Sequence, residues 1–308
     1  MEFLHWLAGI RNPVLDAFFG AITHLGSEMG LIAIGLLFFW CVGKKQGYYI
    51  LFVGFTGTIF NQFFKLLFRV DRPWVLDPTF QPVESAVPDA TGFSFPSGHT
   101  QASVGLFGAM AMLLRRRWMR IVCFALMILV PFSRMYLGVH TPADVFFSFG
   151  LAILLVLAFH YVMNIAWGNH KRMAAVLGVT IALAVAYLLY VLLFPFPADM
   201  DPVNLASGRK NAFTLLGALL GIALVYFVDE RYLHFDVRGP LPGQIIKLVL
   251  GAAIAIGIKS LLKAPLTALV GADLQNTLRY FILVVFAGIV WPLTFPLFRK
   301  IGAKKTEQ

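Results

Sequence analysis

The stretch from Ser133 to Asp144 (Ser-Arg-Met-Tyr-Leu-Gly-Val-His-Thr-Pro-Ala-Asp) places a hydroxyl, a guanidinium, an imidazole and a carboxylate at the junction of two long apolar runs. Charged groups at such depth are costly and tend to be functional. His140 and Asp144 are four residues apart. If Pro142 opens a helix, as proline can in a first turn, the Asp144 carboxylate reaches one imidazole nitrogen and leaves the other free to attack. An imidazole held by a carboxylate is a nucleophile with its positioning group. Two further polar blocks lie upstream. Phe95-Pro96-Ser97-Gly98-His99-Thr100 adds a second imidazole beside a hydroxyl and a glycine, and Lys65 is followed by Arg72 and Pro73.

The three blocks, in this order and flanked by apolar runs, resemble the signature of the membrane type 2 phosphatidic acid phosphatases (PAP2), whose relatives include the vanadium haloperoxidases and glucose-6-phosphatase. Every signature position is filled: Lys65, Arg72 and Pro73; Pro96, Ser97, Gly98 and His99; Ser133, Arg134, His140 and Asp144. The resemblance covers roughly residues 1–168 and is that of a bacterial-type lipid phosphatase with extra C-terminal spans. It implies that His140 attacks phosphorus to form a phosphohistidine. His99 then protonates the leaving alkoxide and afterwards activates water, while Asp144 orients His140.

The side-chain chemistry agrees with those roles. Lys65 and Arg72, close to two helical turns apart, can point to one side of a continuing helix that Pro73 then ends. Guanidinium forks, here Arg72 and Arg134, match phosphate oxygens bidentately, whereas Lys65 acts as a point charge. Ser97 offers a hydroxyl, and Gly98 allows close backbone approach with its N–H at a helix start. Such a cradle holds the equatorial oxygens of five-coordinate phosphorus. No metal and no other cofactor is expected, because Lys and Arg supply the positive charge and no Asp/Glu cluster suited to magnesium lies near the blocks.

Around these residues the chain is 59% hydrophobic and 13% charged over 308 residues, with 30 Phe. That composition reads as an all-α, polytopic transmembrane helical bundle, and it excludes a soluble haloperoxidase. Cys41 and Cys123 both lie in apolar runs and suggest neither a disulfide framework nor a metal site. Spans are predicted at about 29–42, 47–68, 99–114, 120–139, 142–167, 173–194, 211–228, 244–263 and 277–298. Met1 to Ser27 reads as two short amphipathic helices at the membrane interface, standing where relatives have a first core helix. The polar loop from Arg69 to Ser97, with five prolines, is expected to lie over the site as a lid or entrance.

Lys44, Lys45, Arg115, Arg116, Arg117, Arg120, Lys171, Arg172, Arg231, Arg238, Lys247, Arg299, Lys300, Lys304 and Lys305 fall in alternate loops. Their side should be cytoplasmic. The three blocks then face the extracytoplasmic side of a plasma or inner membrane. The net charge of +10 is therefore a span-end pattern, and nucleic acid is not an expected partner.

Residues 1–168 are read as the catalytic core and residues 169–308 as about four added spans of unassigned role. Gly217, Gly221, Gly251 and Gly257 allow close helix approach, within the chain or in a homodimer. The expected partner is a lipid phosphate entering from the bilayer: an undecaprenyl-type diphosphate, phosphatidate, phosphatidylglycerophosphate or a sphingoid phosphate. Two other readings remain at this level. One is a phosphotransferase passing the same phosphoryl group to a lipid or sugar. The other, disfavoured by the filled signature, is a non-catalytic lipid transporter.

Overall fold

The computed structural model describes residues 1–302, apart from the side chain of Glu28, and Lys304 and Lys305 of the basic pattern lie outside the described residues. Every regular element among the described residues is helical. In chain order these are α1 (Glu2–Gly9), α2 (Pro13–Thr23), α3 (Glu28–Leu37), α4 (Lys44–Phe68), α5 (Pro73–Leu76), α6 (Gly98–Leu113), α7 (Arg117–Tyr136), α8 (Pro142–Ala166) and α9 (His170–Leu193). They continue with α10 (Pro202–Val228), α11 (Leu241–Leu261), α12 (Lys263–Val285) and α13 (Phe295–Arg299). Among the described residues seven helical runs are long and apolar enough to cross a membrane. The protein is a multi-pass helical bundle.

Helix starts follow local chemistry. Asn12 caps α2 by accepting from Val14 and Leu15 N–H, each at 3.1 Å, with Pro13 at the first position. Asp201 accepts from Val203 N–H at 2.8 Å, and Pro202 opens α10 nine residues before the hydropathy pattern begins. Two predicted spans fall short of a full crossing. The first continues α3 as a wide turn over Phe38–Val42 and meets the test only jointly with the preceding Pro13–Gly26 segment, at a bend of 54°. The other, α6, has 16 residues, about 24 Å of rise, and is buried nearly all round by protein. The pattern also missed a break: Gly271, at φ 82° and ψ 171°, interrupts α12 and leaves a helical stretch where a connection was expected.

The chain forms two compact units, and it passes between them inside helices. The first comprises Met1–Ile32, Tyr49–Ile165 and Leu189–Arg209. Its central helix α6 packs most extensively on α7. The short helices α1 and α2 exist as predicted, and α1 turns Leu4 and Leu7, both 0% exposed, into a cluster with Phe80, Tyr136, Leu137 and Val139. The opposite side chains Phe3, Trp6 and Ile10 are exposed. Arg11 fastens this segment by donating to the carbonyls of Tyr136 and Gln81, at 3.0 and 2.5 Å.

The second unit comprises Ala33–Tyr48, Ala166–Leu188 and the chain from Lys210 onward. Here Gly217 lies on the backbone of Thr277 and Gly221 against Val284. The predicted small-residue spacing thus serves an α10–α12 contact within the chain. Lys44 pairs with Asp229 at 2.6 Å, and Lys247 donates to the carbonyls of Trp40 and Val237 at 2.7 and 3.1 Å.

Candidate active site

The site is built on the turn between α7 and α8. Gly138, at φ 76°, lets the chain leave α7 where an added Cβ would collide with Phe80 and Arg11. Pro142 does open α8, and Thr141 and Asp144 form a capping box. The Asp144 carboxylate accepts from Thr141 N–H at 2.8 Å, and Thr141 Oγ1 accepts from Asp144 N–H at 3.4 Å. The same Asp144 Oδ2 lies 3.3 Å from Nδ1 of His140 and accepts from the Ser94 hydroxyl at 2.5 Å.

The other ring nitrogen meets a cation. Arg72 Nη1 lies 3.1 Å from His140 Nε2. A guanidinium has only donors, so Nε2 accepts and carries the lone pair, while the ring proton sits on Nδ1 towards Asp144. Burial holds the His140 pKa well below the usual histidine range, and the charges of Arg72, Arg134 and Lys65 push it further down. These contacts hold the ring neutral, with its lone pair on Nε2.

Arg72 reaches this place differently from the expected continuing helix. α4 ends at Phe68, Arg69 turns left-handed at φ 51°, and Arg72 is extended, with Pro73 opening α5 rather than ending α4. The restriction that proline places on the preceding residue accounts for the extended Arg72. Its guanidinium is then held by backbone: Nη1 donates to Val139 O at 2.8 Å, Nε to Gly92 O at 3.1 Å and Nη2 to Thr91 O at 2.9 Å. Lys65 Nζ donates to Phe93 O and, at 3.4 Å, to Ser94 O. Residues 91–94 of the long loop thus present a row of carbonyls that aims both cations.

Arg134 donates from Nη1 to Thr23 Oγ1 at 2.8 Å, and its charge acts on both His99 and His140. Ser97 caps α6; its oxygen accepts from Thr100 N–H at 3.4 Å and the Thr100 hydroxyl at 3.0 Å, leaving its own proton to offer. Ser97 N–H donates to Asp144 O at 3.2 Å, which ties the second block to the third. Gly98 and His99 form the first residues of α6. The structure therefore gathers Lys65, Arg72, Ser97, Gly98, His99, Arg134, His140 and Asp144 in one unit.

The sequence reading missed Ser94 and Asn61. Ser94 carries no pattern signal, lying two residues before Pro96 in an aperiodic loop. Asn61 stands one turn before Lys65 on the same face of α4, a spacing that could have marked it. It is 1% exposed, its amide has no hydrogen-bond partner among the described residues, and its Oδ1 lies 3.6 Å from where a Cβ on Gly98 would stand. Among the described residues no group of three His, Cys, Asp or Glu is placed to hold a metal ion.

Among the described residues of this unit Lys65, Arg72 and Arg134 are at most 7% exposed, and Asp144 is the buried carboxylate beside them. A buried excess of positive charge beside a lone-pair imidazole, inside a multi-pass bundle, is an environment suited to an anion. The comparisons give the family. The PAP2 superfamily profile matches residues 46–167, and that of the PAP2 superfamily phosphatase, transmembrane extension, matches residues 213–305. An undecaprenyl-diphosphatase of Bacillus subtilis is 33% identical over 154 residues, 47% of this chain and 73% of its own. A phosphatidylglycerophosphatase B of the same organism is 30% identical over 161 residues, 47% of this chain and 74% of its own. A lipid A 4'-phosphatase of Porphyromonas gingivalis is 28% identical over 168 residues, 52% of this chain and 69% of its own. No solved structure matches the chain. The chain belongs to the PAP2 superfamily and is a phosphatase, a phosphoric ester hydrolase.

Proposed function

We propose that the protein is a metal-independent lipid phosphatase of the plasma or inner membrane, acting at the extracytoplasmic face on a lipid phosphomonoester or diphosphate. Its substrate lies in the class of undecaprenyl diphosphate, phosphatidate and phosphatidylglycerophosphate. The observation that carries this reading is the buried positive excess: Lys65, Arg72 and Arg134 against Asp144 alone. An incoming phosphate dianion neutralises it, and the trigonal-bipyramidal transition state neutralises it better.

In the first step His140 Nε2 bonds to phosphorus and the ester oxygen departs, taking a proton from His99, which the bound phosphate dianion has first drawn into its imidazolium form. Asp144 stabilises the developing imidazolium through Nδ1–H. In the second step His99 takes a proton from water, the hydroxide attacks phosphorus, and the N–P bond breaks to release inorganic phosphate and free His140. Lys65, Arg72, Arg134, Ser97 O–H and Gly98 N–H hold the non-bridging oxygens throughout. Residues 1–168 carry this chemistry, and the spans beyond them are proposed to support the core.

The test is phosphate release from purified full-length protein in detergent, across an isoprenoid diphosphate, phosphatidate, phosphatidylglycerophosphate and nitrophenyl phosphate, in chelator. Release from at least one lipid, with an acid-labile phosphoenzyme lost in His140→Ala, is the expected result. Release that needs an added divalent metal, or a phosphoenzyme persisting in His140→Ala, would sink the scheme.

A further inference from the structure

Helix α7 ends in the turn that carries the nucleophile. Gly138 N–H donates to Met135 O at 3.0 Å and Val139 N–H to Arg134 O at 3.1 Å. These are the paired bonds of a Schellman motif, with Gly138 left-handed at φ 76°. Arg134 opens that motif and His140 follows it directly, so two site residues take their direction from one turn. The motif leaves the carbonyls of Tyr136 and Leu137 without a helical partner. Both are answered from outside the helix. Val83 N–H, in the Arg69–Ser97 loop, donates to Leu137 O at 3.0 Å, and Arg11 Nε donates to Tyr136 O at 3.0 Å.

Arg11 comes from the connection between α1 and α2, far upstream of the three signature blocks. One guanidinium serves two elements there. Its Nη1 donates to Gln81 O at 2.5 Å, in the same loop as Val83. Its carbon lies 5.3 Å from the centroid of the buried Phe80 ring. The group also lies hard against the turn: a Cβ on Gly138 would stand 2.6 Å from Arg11 Nη2 and 2.7 Å from the Phe80 ring. A planar fork with fixed donor angles holds two carbonyls at a set separation, which an ammonium on a flexible stem does not. Its charge suits the negative end of α7. The hairpin carrying Arg11 is itself seated on Tyr136, whose hydroxyl donates to Asp16 at 2.8 Å and whose ring centroid lies 4.4 Å from that of Phe19. The loop held at Gln81 is the one whose carbonyls at 91–94 aim Lys65 and Arg72. Arg11 thus stands where the nucleophile's turn meets the loop that aims the cations.

We propose that Arg11 is a positioning residue for phosphoryl transfer: it braces the end of α7 against the loop, and so fixes the direction in which His140 meets a phosphoryl group held by Lys65 and Arg72. The inference rests on the lipid-phosphatase reading with His140 as nucleophile, and adds to it a group from outside the signature. Loss of the brace leaves the charges of the cradle in place, so ground-state binding survives. What falls is the alignment of nucleophile and phosphorus, and with it kcat.

The experiment assays Arg11→Gln, Arg11→Lys and Tyr136→Phe as purified full-length proteins, with thermal melts in the same detergent. The substrates are nitrophenyl phosphate, phosphatidate, phosphatidylglycerophosphate and an isoprenoid diphosphate. Arg11→Gln should lower kcat roughly 10- to 100-fold, the scale of a reacting group displaced by about an ångström, and leave KM unchanged on every substrate that wild type turns over. Arg11→Lys, which keeps the charge and can hold one carbonyl, should fall between Arg11→Gln and wild type. Tyr136→Phe, which releases Asp16 but keeps the Arg11 bond to the residue 136 carbonyl, should cost far less than Arg11→Gln. A brace that served stability alone would lower the melting temperature and leave kcat per folded molecule at the wild-type value; that result overturns the proposal. So does a Tyr136→Phe loss as large as that of Arg11→Gln or, where Arg11→Gln does not fold, a wild-type kcat in Arg11→Lys. Wild type releasing phosphate from none of the substrates, or a phosphoenzyme persisting in His140→Ala, overturns instead the reading on which the inference rests.

Discussion

Both units bury cations, and the difference lies in what answers them. In the second unit Lys44 has the Asp229 carboxylate at 2.6 Å, and Lys247 has two carbonyls and the Phe295 ring, 4.2 Å from its Nζ. Arg279, 5% exposed, donates to Asn276 at 3.0 Å but leaves its Nε unpartnered among the described residues. In the first unit Arg72 lies on one imidazole nitrogen and Asp144 on the other, and the charges of Arg134 and Lys65 act on the same ring. A buried cation alone is thus a poor marker of a site. Convergence with a nucleophile, and a deficit of counter-charge, is the informative feature.

Substitutions can break this comparison, beginning with the largest effect. His140→Ala should lower phosphate release by more than about a thousandfold while far-UV circular dichroism and detergent-phase gel filtration stay unchanged; substantial residual turnover would undo the nucleophile assignment. Arg134→Ala should cost roughly 100- to 1,000-fold in kcat, as loss of a charged transition-state contact does, and Arg72→Lys, which keeps the charge but loses the guanidinium fork, about 100-fold. Ser94→Ala should cost about tenfold, since Asp144 keeps the Thr141 N–H bond and loses one of two protein donors that fix it beside His140. Steady-state kinetics on one substrate ranks all three.

Asp229→Asn in the second unit should do the reverse. It should lower stability by about 3 kcal/mol, as a part-buried pair losing one partner, and leave kcat per folded molecule unaltered in a thermal melt paired with an assay. A drop in kcat as large as that of Ser94→Ala would remove the contrast between the units.

The smallest effect is a shift in pH profile. The His140 pKa is depressed by burial and by neighbouring cations, so its lone pair survives below about pH 6.5. The acid limb of kcat/KM that belongs to this ring should lie below that pH. Arg72→Gln removes one positive neighbour and should move that limb upward; a downward movement would contradict the sign.

Much of the site was legible because its chemistry depends on residue type at fixed spacing. The His140–Asp144 pair follows from a helix start at Pro142, and the capping box formed by Thr141 gives that start its reason. Arg72 was assigned to the right cluster by the wrong route. Helical period alone carried α4 past Phe68, whereas the left-handed Arg69 and the extended residue before Pro73 end it there. The clamp at 91–94 was illegible, because it acts through carbonyls that every residue possesses. Hydropathy found the helices well and their ends poorly. Pro202 and Gly271 set boundaries by backbone geometry, to which an apolar average is blind.

The bond from Arg72 to His140 Nε2 has one more consequence. The guanidinium covers the ring's lone pair on Nε2. A phosphate dianion can draw that cation onto its own oxygens and so uncover the nitrogen it is about to meet, whereas a neutral electrophile of similar size has nothing with which to lift the cover. Under the proposed mechanism an uncharged alkylating or acylating reagent should therefore react slowly with this ring, and an anionic one faster.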